Sequence, residues 1–196
     1  MPKKGGGPIV IAVTGTPGAG KTTFAESLSK ETGMRSVEVN DVVEEKKLFD
    51  GVDDNGSRIV KMQKLRMALE EIIKNEDAKG IILVGHLLAD LNLDYDIAAV
   101  VRCNLKTLIE RMEGRRYKKE KLKENLVSES IDYCGVQAAQ RSKESYEVES
   151  EEQKKLLAGY IKERLGEKSP EKPSFPEINK LSELLELVYE GNSYGF

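Results

Sequence analysis

The chain has 196 residues, of which 39% are apolar and 33% charged, and its formal net charge is −3. This length suits one domain with a substantial core, and the near-neutral charge excludes a protein that binds polyanions over its whole surface. No apolar run approaches the roughly 18 residues that a membrane-spanning helix needs, and the two cysteines form neither a metal-binding spacing nor a disulfide framework. We therefore expect a cytoplasmic protein with no membrane contact.

Short apolar strands and amphipathic helices alternate along the chain after a flexible leader at residues 1–8. The predicted strands cover residues 8–15, 36–40, 80–85, 95–103 and 145–150. The predicted helices cover residues 21–30, 59–73, 105–112, 120–142, 150–165 and 178–189, and one more starts at Asp41 as its N-cap. This alternation predicts an α/β fold with a mostly parallel five-stranded sheet and helices on both faces. Ligands of such sheets bind at the carboxyl ends of the strands.

The segment GTPGAGKT, residues 15–22, fits the pattern G-x-x-x-x-G-K-[ST] between a strand and a helix. Its glycines let successive backbone N–H groups face an anion, and the helix that follows adds its dipole. Lys21 is expected to reach the β- and γ-phosphates of ATP, and the hydroxyl of Thr22 is placed for Mg²⁺. The segment therefore predicts a site for ATP, formed by Gly15, Gly18, Ala19, Gly20, Lys21, Thr22 and Thr23.

The rest of the chain narrows the class of phosphate-loop protein. A GTPase would carry an N-K-x-D segment on a late strand, where this chain has VVRCN instead, and a large motor would need more residues. Residues 111–123 carry seven cations against two acids, which suits the charge on a transferring phosphoryl group. These features favour a small kinase that closes an arginine-bearing lid over two substrates.

Six segments follow one another from about Ile9 to Ser150: TGTPGAGKTT, VNDVVEEKKLFDG, VGHLLAD, VVRCN, RRYKKEKLKEN and SYEVES. In this order they resemble the adenylate kinase isoenzyme 6 family of small nucleoside-monophosphate kinases. The first segment is common to many phosphate-loop kinases, whereas the glycine-histidine pair and the R-x-Y lid are more specific. The resemblance implies Mg²⁺-dependent conversion of ATP and AMP to two ADP, an accompanying ATPase activity, and a role in maturation of the small ribosomal subunit. The implied partners are AMP or another nucleoside monophosphate, a small-subunit ribosomal protein and pre-ribosomal RNA.

Carried over by position, the resemblance implies a kinase domain over residues 9–168. Its monophosphate-binding segment would cover about residues 40–64 and its lid about residues 112–123, ahead of a C-terminal tail at residues 169–196 with a short helix. Catalysis would involve Lys21, His86 and the lid arginine Arg115, which would also reach ATP. The monophosphate would be bound by Asp41, Arg102, Arg111 and Arg116.

The chain departs from the family at Val84 and Arg116, and the role of His86 has two interpretations. Val84 stands where many members carry the acidic residue that orders Mg²⁺, and Asp90 or Asp94 could substitute for it. His86 is the only histidine, and it fits either a structural strand-end residue or a group near the γ-phosphate. Arg116 stands where a glycine is common in the lid.

Two alternative functions stay open on these residues. The chain could be an ATP-switched assembly factor that binds a ribosomal protein and has little kinase activity, in which case the missing carboxylate at Val84 would be tolerated. It could also be a small-metabolite kinase of the shikimate or gluconate type, since that class has the same fold. A screen of phosphate acceptors separates these possibilities.

Overall fold

A computed structural model describes residues 7–53, 58–166 and 169–189, so most of the predicted leader lies outside the described residues. Its main sheet has five parallel strands in the order β2-β5-β1-β6-β7, which confirms the predicted fold class. The strands are β1 (Ile9–Thr14), β2 (Arg35–Glu38), β5 (Gly80–Val84), β6 (Tyr95–Val101) and β7 (Ser142–Val148). The central position of β1 puts the loop after it at the middle of the sheet edge where the carboxyl ends of the strands meet.

Eight α-helices and one short 3₁₀ helix are found among these residues. They are α1 (Lys21–Thr32), α2 (Val39–Glu45), α3 (Met62–Lys74), the 3₁₀ helix His86–Ala89, α4 (Leu105–Gly114), α5 (Lys119–Ser130), α6 (Tyr133–Arg141), α7 (Glu151–Leu165) and α8 (Leu181–Tyr189). A capping box starts α7, because the side chains of Ser150 and Gln153 each accept a backbone N–H of the other residue. No helix of the described ranges is both long and apolar enough to cross a membrane.

The helices lie on both faces of the sheet because each central strand is apolar on both sides. Ile11 and Val13 of β1 are buried in one cluster with side chains of α1, α4, α5 and α7. Val10 and Ala12 of the same strand belong to a second cluster, which includes side chains of α2, α3 and α6. This alternation explains why the strands appear in the sequence as continuous apolar runs.

The strands β3 (Phe49–Val52) and β4 (Arg58–Val60) pair as an antiparallel hairpin, in a part of the chain where no strand was predicted. The helical prediction from Ile59 onward was also wrong at its start, because Ile59 lies in β4 with 51% of its surface exposed. Two strands of four and three residues are too short to carry a clear alternating pattern. The sequence therefore does not predict the hairpin, although it predicts a helix before it and a helix after it.

The predicted long helix at residues 120–142 is two helices in the structure. Helix α5 ends at Ser130, and Asp132 then adopts a left-handed backbone with φ 53. The side chain of Asp132 accepts the backbone N–H of Gly135 and so caps α6. The periodic pattern continues across this break, because both helices pack their apolar faces against the domain, and it therefore hid the interruption.

Candidate active site

The phosphate loop adopts a backbone that requires glycine at three positions. Gly15, Gly18 and Gly20 have φ values of 134, 93 and 108, in the left-handed region that side-chain-bearing residues avoid. At Gly15 a Cβ atom would also overlap the carbonyl oxygen of Val101, the last residue of β6. The predicted loop is thus held close to the end of a neighbouring strand, at the N-terminus of α1.

Lys21, the first residue of α1, folds over this loop. Its Nζ donates hydrogen bonds of 2.9 Å to the carbonyl oxygens of Gly15 and Thr16. Burial lowers the pKa of Lys21 to about 8, although the nearby Glu38 and Glu129 favour its charged form. Near pH 7 the side chain therefore carries a positive charge at the loop that is expected to bind phosphates.

A cleft of about 680 Å³ opens above the loop. It gathers seven of the predicted site residues from three parts of the chain: Gly18, Gly20, Lys21, Thr22, Thr23, His86 and Arg115. Residues of α2, β4 and α5 also line it, so it lies between the predicted monophosphate segment and the predicted lid. The size suits a small-molecule site, for which volumes of roughly 300–1,000 Å³ are usual.

His86 starts the 3₁₀ helix after β5 and lines the cleft. Burial, together with the charge of Lys21, lowers its pKa to about 4. The imidazole is therefore neutral at pH 7. In this state it accepts or donates a hydrogen bond inside the cleft without adding charge beside Lys21.

The depressed pKa of His86 predicts a specific pH dependence of stability. Between pH 6.5 and about 4, the unfolded chain binds a proton at this position that the folded chain does not bind. The free energy of unfolding should therefore fall as pH falls through this window, and His86→Gln should remove this part of the slope. Urea unfolding of both proteins at pH 7 and pH 5 measures the difference. Equal slopes for the two proteins would contradict the prediction.

Carboxylates lie in the cleft although Val84 itself is fully buried among apolar side chains. Asp90 lines the cleft, and its Oδ1 accepts a 2.5 Å hydrogen bond from the hydroxyl of Tyr133. Glu38, the last residue of β2, lines it as well. Asp94, the other predicted substitute, is not among the residues that line this cleft. Among the residues that the structure describes, no three His, Cys, Asp or Glu side chains cluster as a metal site.

The four residues that were expected to bind the monophosphate do not line the cleft. Asp41 is exposed inside α2, whose N-cap is Glu38, so its predicted capping role was wrong. Arg111 donates a 2.9 Å hydrogen bond from Nη1 to the carbonyl oxygen of Gly18 and so supports the phosphate loop. Arg116 has a left-handed backbone with φ 57, which a glycine at this position would adopt without strain.

Arg102 is the clearest departure from the predictions, because its side chain is 1% exposed and surrounded by acids. Its Nε donates to Glu129 at 2.9 Å, and its Nη1 donates to Asp132 at 2.5 Å and to Glu147 at 2.6 Å. Burial and a hydrogen bond with Asp132 raise the pKa of Glu147 to about 7. The guanidinium is thus committed to a buried ionic cluster, which corrects the expectation that it contacts the monophosphate.

The structure adds Arg58 and Glu44 to the cleft, which the sequence analysis missed. Nε and Nη2 of Arg58 donate to the two carboxylate oxygens of Glu44 at 2.9 and 3.1 Å, and the guanidinium lies 4.1 Å from the ring centre of Phe49. This bidentate pair joins the hairpin to α2. Only recognition of the hairpin would have placed Arg58 in the cleft. Glu38 was missed because the predicted strand continued to residue 40, whereas β2 ends at Glu38 in the structure.

Comparison with known proteins identifies related sequences. The model of an AAA domain family matches residues 11–132. A protein of Methanocaldococcus jannaschii named "Putative adenylate kinase" is 41% identical over 125 residues, which cover 63% of this chain and 68% of that protein. A protein of Archaeoglobus fulgidus with the same name is 36% identical over 144 residues, which cover 74% of each chain.

Solved structures of small kinases share the fold. Shikimate kinase from Acinetobacter baumannii in complex with shikimate matches with a TM-score of 0.55 and 15% identity, over 83% of this chain and 96% of that one. Deoxyadenosine kinase from M. mycoides with bound dATP matches with a TM-score of 0.50 and 18% identity, over 78% of this chain and 99% of that one. At these identities the similarity concerns the fold alone.

Proposed function

The chain belongs to the AAA domain family whose model it matches and to the adenylate kinase-like nucleotide kinases among its relatives, and we propose that it transfers the γ-phosphoryl group of ATP to a nucleoside monophosphate. AMP is the acceptor that we expect, with two ADP as the products. The observation that carries the proposal is that one cleft is lined by the phosphate loop and, from a separate element, by Arg58, whose guanidinium can bind a second anion.

ATP is proposed to bind with its phosphates in the loop at residues 15–22. The left-handed glycines direct backbone N–H groups to the anion, and Lys21 adds a positive charge. Arg115 directly follows α4 and lines the same cleft, where it would contact the triphosphate when the lid closes. We propose the lid arginine as the group that neutralises charge on the transferring phosphoryl group.

Mg²⁺ fits the oxygen donors of the cleft. Such sites take few protein ligands, because Mg²⁺ keeps waters and binds substrate phosphates, so the absence of a three-residue cluster in the described ranges does not conflict with it. We propose that the hydroxyl of Thr22 would hold the ion, with Asp90 as the carboxylate that orients its waters and Glu38 as the second candidate. The ion would neutralise phosphate charge when bound.

The acceptor phosphate is proposed to bind Arg58. The Glu44–Arg58 pair is half exposed, with 45% of the arginine side chain accessible, and exposed ion pairs contribute only about 0–1 kcal/mol. A phosphate group can therefore take the place of the Glu44 carboxylate with little loss. A guanidinium also binds phosphate oxygens in the same bidentate manner.

Slow hydrolysis of ATP is proposed to accompany transfer when no acceptor is present. His86 is neutral at pH 7 and lines the cleft beside Lys21, so it is able to accept a hydrogen bond from an attacking water. The lid would limit this reaction by excluding water when both nucleotides are bound.

An acceptor screen tests the proposed function. ADP formation from ATP and Mg²⁺ is measured with AMP, CMP, UMP, GMP and shikimate as acceptors, and ATP alone gives the hydrolysis rate. We expect AMP to raise turnover well above hydrolysis and shikimate to leave it unchanged. If no monophosphate raises turnover, the kinase proposal is wrong, and if only shikimate does, the chain is a small-metabolite kinase.

Arg58→Ala should raise KM for AMP about tenfold, because a charge-assisted bidentate contact with the acceptor phosphate is lost. KM for ATP should stay within about twofold, since the phosphate loop does not contact this residue. Glu44→Ala should have the opposite effect on KM for AMP, because it removes a competing anion. Arg66→Ala is a matched control, since Arg66 also forms an exposed ion pair, with Glu70 on α3, but does not line the cleft. An unchanged KM for AMP in Arg58→Ala would exclude the contact.

A role in maturation of the small ribosomal subunit is a second candidate function. The apolar side chains of Val127 on α5, Ile131 just after it and Val136 on α6 are 36%, 59% and 50% exposed, and such side chains suit a partner surface. We propose that a small-subunit ribosomal protein, with or without pre-ribosomal RNA, contacts this surface. Binding of the purified ribosomal protein should weaken in Ile131→Asp, and equal binding of both proteins would remove this support.

A further inference from the structure

A buried hydrogen-bond network connects the phosphate loop to α5, the helix whose first residues belong to the predicted lid. Thr16, inside the loop, is 1% exposed, and its Oγ1 donates a 2.5 Å hydrogen bond to Oε2 of Glu129 near the end of α5. The other carboxylate oxygen of Glu129 accepts Nε of Arg102 at 2.9 Å and the backbone N–H of Cys103 at 3.1 Å. Both oxygens of this buried acid are therefore occupied, one by the loop and one by the end of the central sheet.

Arg102 holds Glu129 in place through further contacts. Its Nη2 donates to the backbone carbonyl of Glu129 at 2.7 Å, and its backbone N–H donates to Val148 at the end of β7. The opposite side of the guanidinium is fixed by Asp132 and Glu147, as described above. Glu129 is thus held at both carboxylate oxygens and at its backbone carbonyl, and the hydroxyl of Thr16 binds to a carboxylate that these contacts fix.

Helix α5 connects the hydrogen bond between Thr16 and Glu129 to the cleft. Lys121, Glu124, Asn125 and Ser128 lie on one face of the helix, at spacings of three and four residues, and all four line the cleft. Glu129 lies on the adjacent face, which is buried against the sheet. One helix therefore presents one side to the nucleotide site and binds the phosphate loop with the other.

We propose that Glu129 is a positioning residue that sets the phosphate loop against α5 through Thr16, and so aligns the loop with the lid side of the cleft. Glu129 itself does not line the cleft, so it acts through Thr16 and not on a substrate. This inference deepens the proposed function, on which it rests for the transfer rate, but its effect on ATP binding is independent of any acceptor. Binding of the monophosphate, from the hairpin side, should not depend on the contact.

Thr16→Val tests the contact, because valine keeps the shape of threonine and removes only the hydroxyl. We expect Kd for ATP with Mg²⁺, measured by calorimetry, to rise at least fivefold and kcat for transfer to AMP to fall at least tenfold. Kd for AMP should stay within twofold. Thr16→Ser restores the hydroxyl and should recover most of both losses. Ser130→Ala is the matched control on α5, since the buried hydroxyl of Ser130 donates to the carbonyl of Leu126 in the same helix.

A double-mutant cycle shows whether Glu129 is the partner through which Thr16 acts. Glu129→Asp keeps the charge that Arg102 needs but withdraws the carboxylate by one methylene group. If the two residues act as a unit, Thr16→Val combined with Glu129→Asp should bind ATP about as weakly as the weaker single variant, instead of multiplying the two losses. Multiplied losses would show that they act separately and would overturn the proposal. If Glu129→Asp does not fold, the comparison of Thr16→Val with Thr16→Ser decides alone.

The outcomes separate this inference from the proposed function. If the wild-type protein binds ATP but transfers phosphate to no monophosphate, the proposed kinase function is wrong. The effect of Thr16→Val on Kd for ATP still tests the positioning contact in that case. If Thr16→Val folds and keeps the wild-type Kd for ATP and the wild-type kcat, the inference is wrong, while the proposed kinase function is unaffected. Equal weakening of ATP and AMP binding would also overturn it, since that result indicates a general loss of structure.

Discussion

Replacing Lys21 with methionine should lower kcat for phosphoryl transfer by about 10²- to 10³-fold, which is the usual cost of removing one preorganised group that stabilises transition-state charge. The ammonium of Lys21 is positioned against the loop by the carbonyl oxygens of Gly15 and Thr16 and is charged near pH 7. Methionine fills similar space without the charge. The rate of ADP formation with saturating ATP and AMP measures the effect.

The fold should survive Lys21→Met, because burial opposes the charged form of this lysine in the folded protein. We therefore expect the midpoint of thermal unfolding to stay equal or rise, while activity is lost. Lys30→Met is the matched control, since Lys30 is exposed at the last turn of the same helix and does not line the cleft. A rate within threefold of wild type for Lys21→Met would mean that the loop does not hold the transferring phosphates.

The phosphate loop and the sheet could be predicted because their signals are local. An apolar run such as β1 is continuous only when both faces of a strand are covered, and the loop pattern after it dictates its own backbone through Gly15, Gly18 and Gly20. A strand end followed by His86 was likewise enough to place that residue at the cleft. Each of these inferences needed only neighbouring residues and the rule that parallel strands share a binding edge.

The acceptor side could not be predicted because it depends on contacts between distant residues. Arg102 was placed at a strand end correctly, but its role depends on Glu129, Asp132 and Glu147, which are 27 to 45 residues away along the chain. Nothing in the local pattern around Glu129 distinguishes a buried acid from the exposed acids of the same helix. Arg58 was missed for the related reason that a short hairpin brings it to α2.

Among the proposed substitutions, replacement of Arg102 should have the largest effect on stability, because three acids surround its guanidinium. Arg102→Leu keeps most of the side-chain volume but leaves Glu129, Asp132 and Glu147 without their counter-charge. Removing one partner of a buried ion pair typically destabilises a protein by about 3–5 kcal/mol, so we expect a loss of this size in the free energy of unfolding at pH 7. Urea unfolding measures it, and Arg66→Leu, which breaks an exposed pair on α3, should cost about 1 kcal/mol or less.

The pH dependence of Arg102→Leu distinguishes lost charge compensation from lost packing. Without the guanidinium, whose charge lowers the pKa of Glu147, burial raises the pKa of this carboxyl further above its value in the unfolded chain. The folded variant therefore binds more protons than its unfolded state as pH falls from 7 to 5, which stabilises it. The difference in unfolding free energy between wild type and variant should shrink over this range, whereas a cavity alone would keep it constant. Since Glu147 already has a pKa of about 7 beside Arg102, its proton should be the first to offset the missing charge.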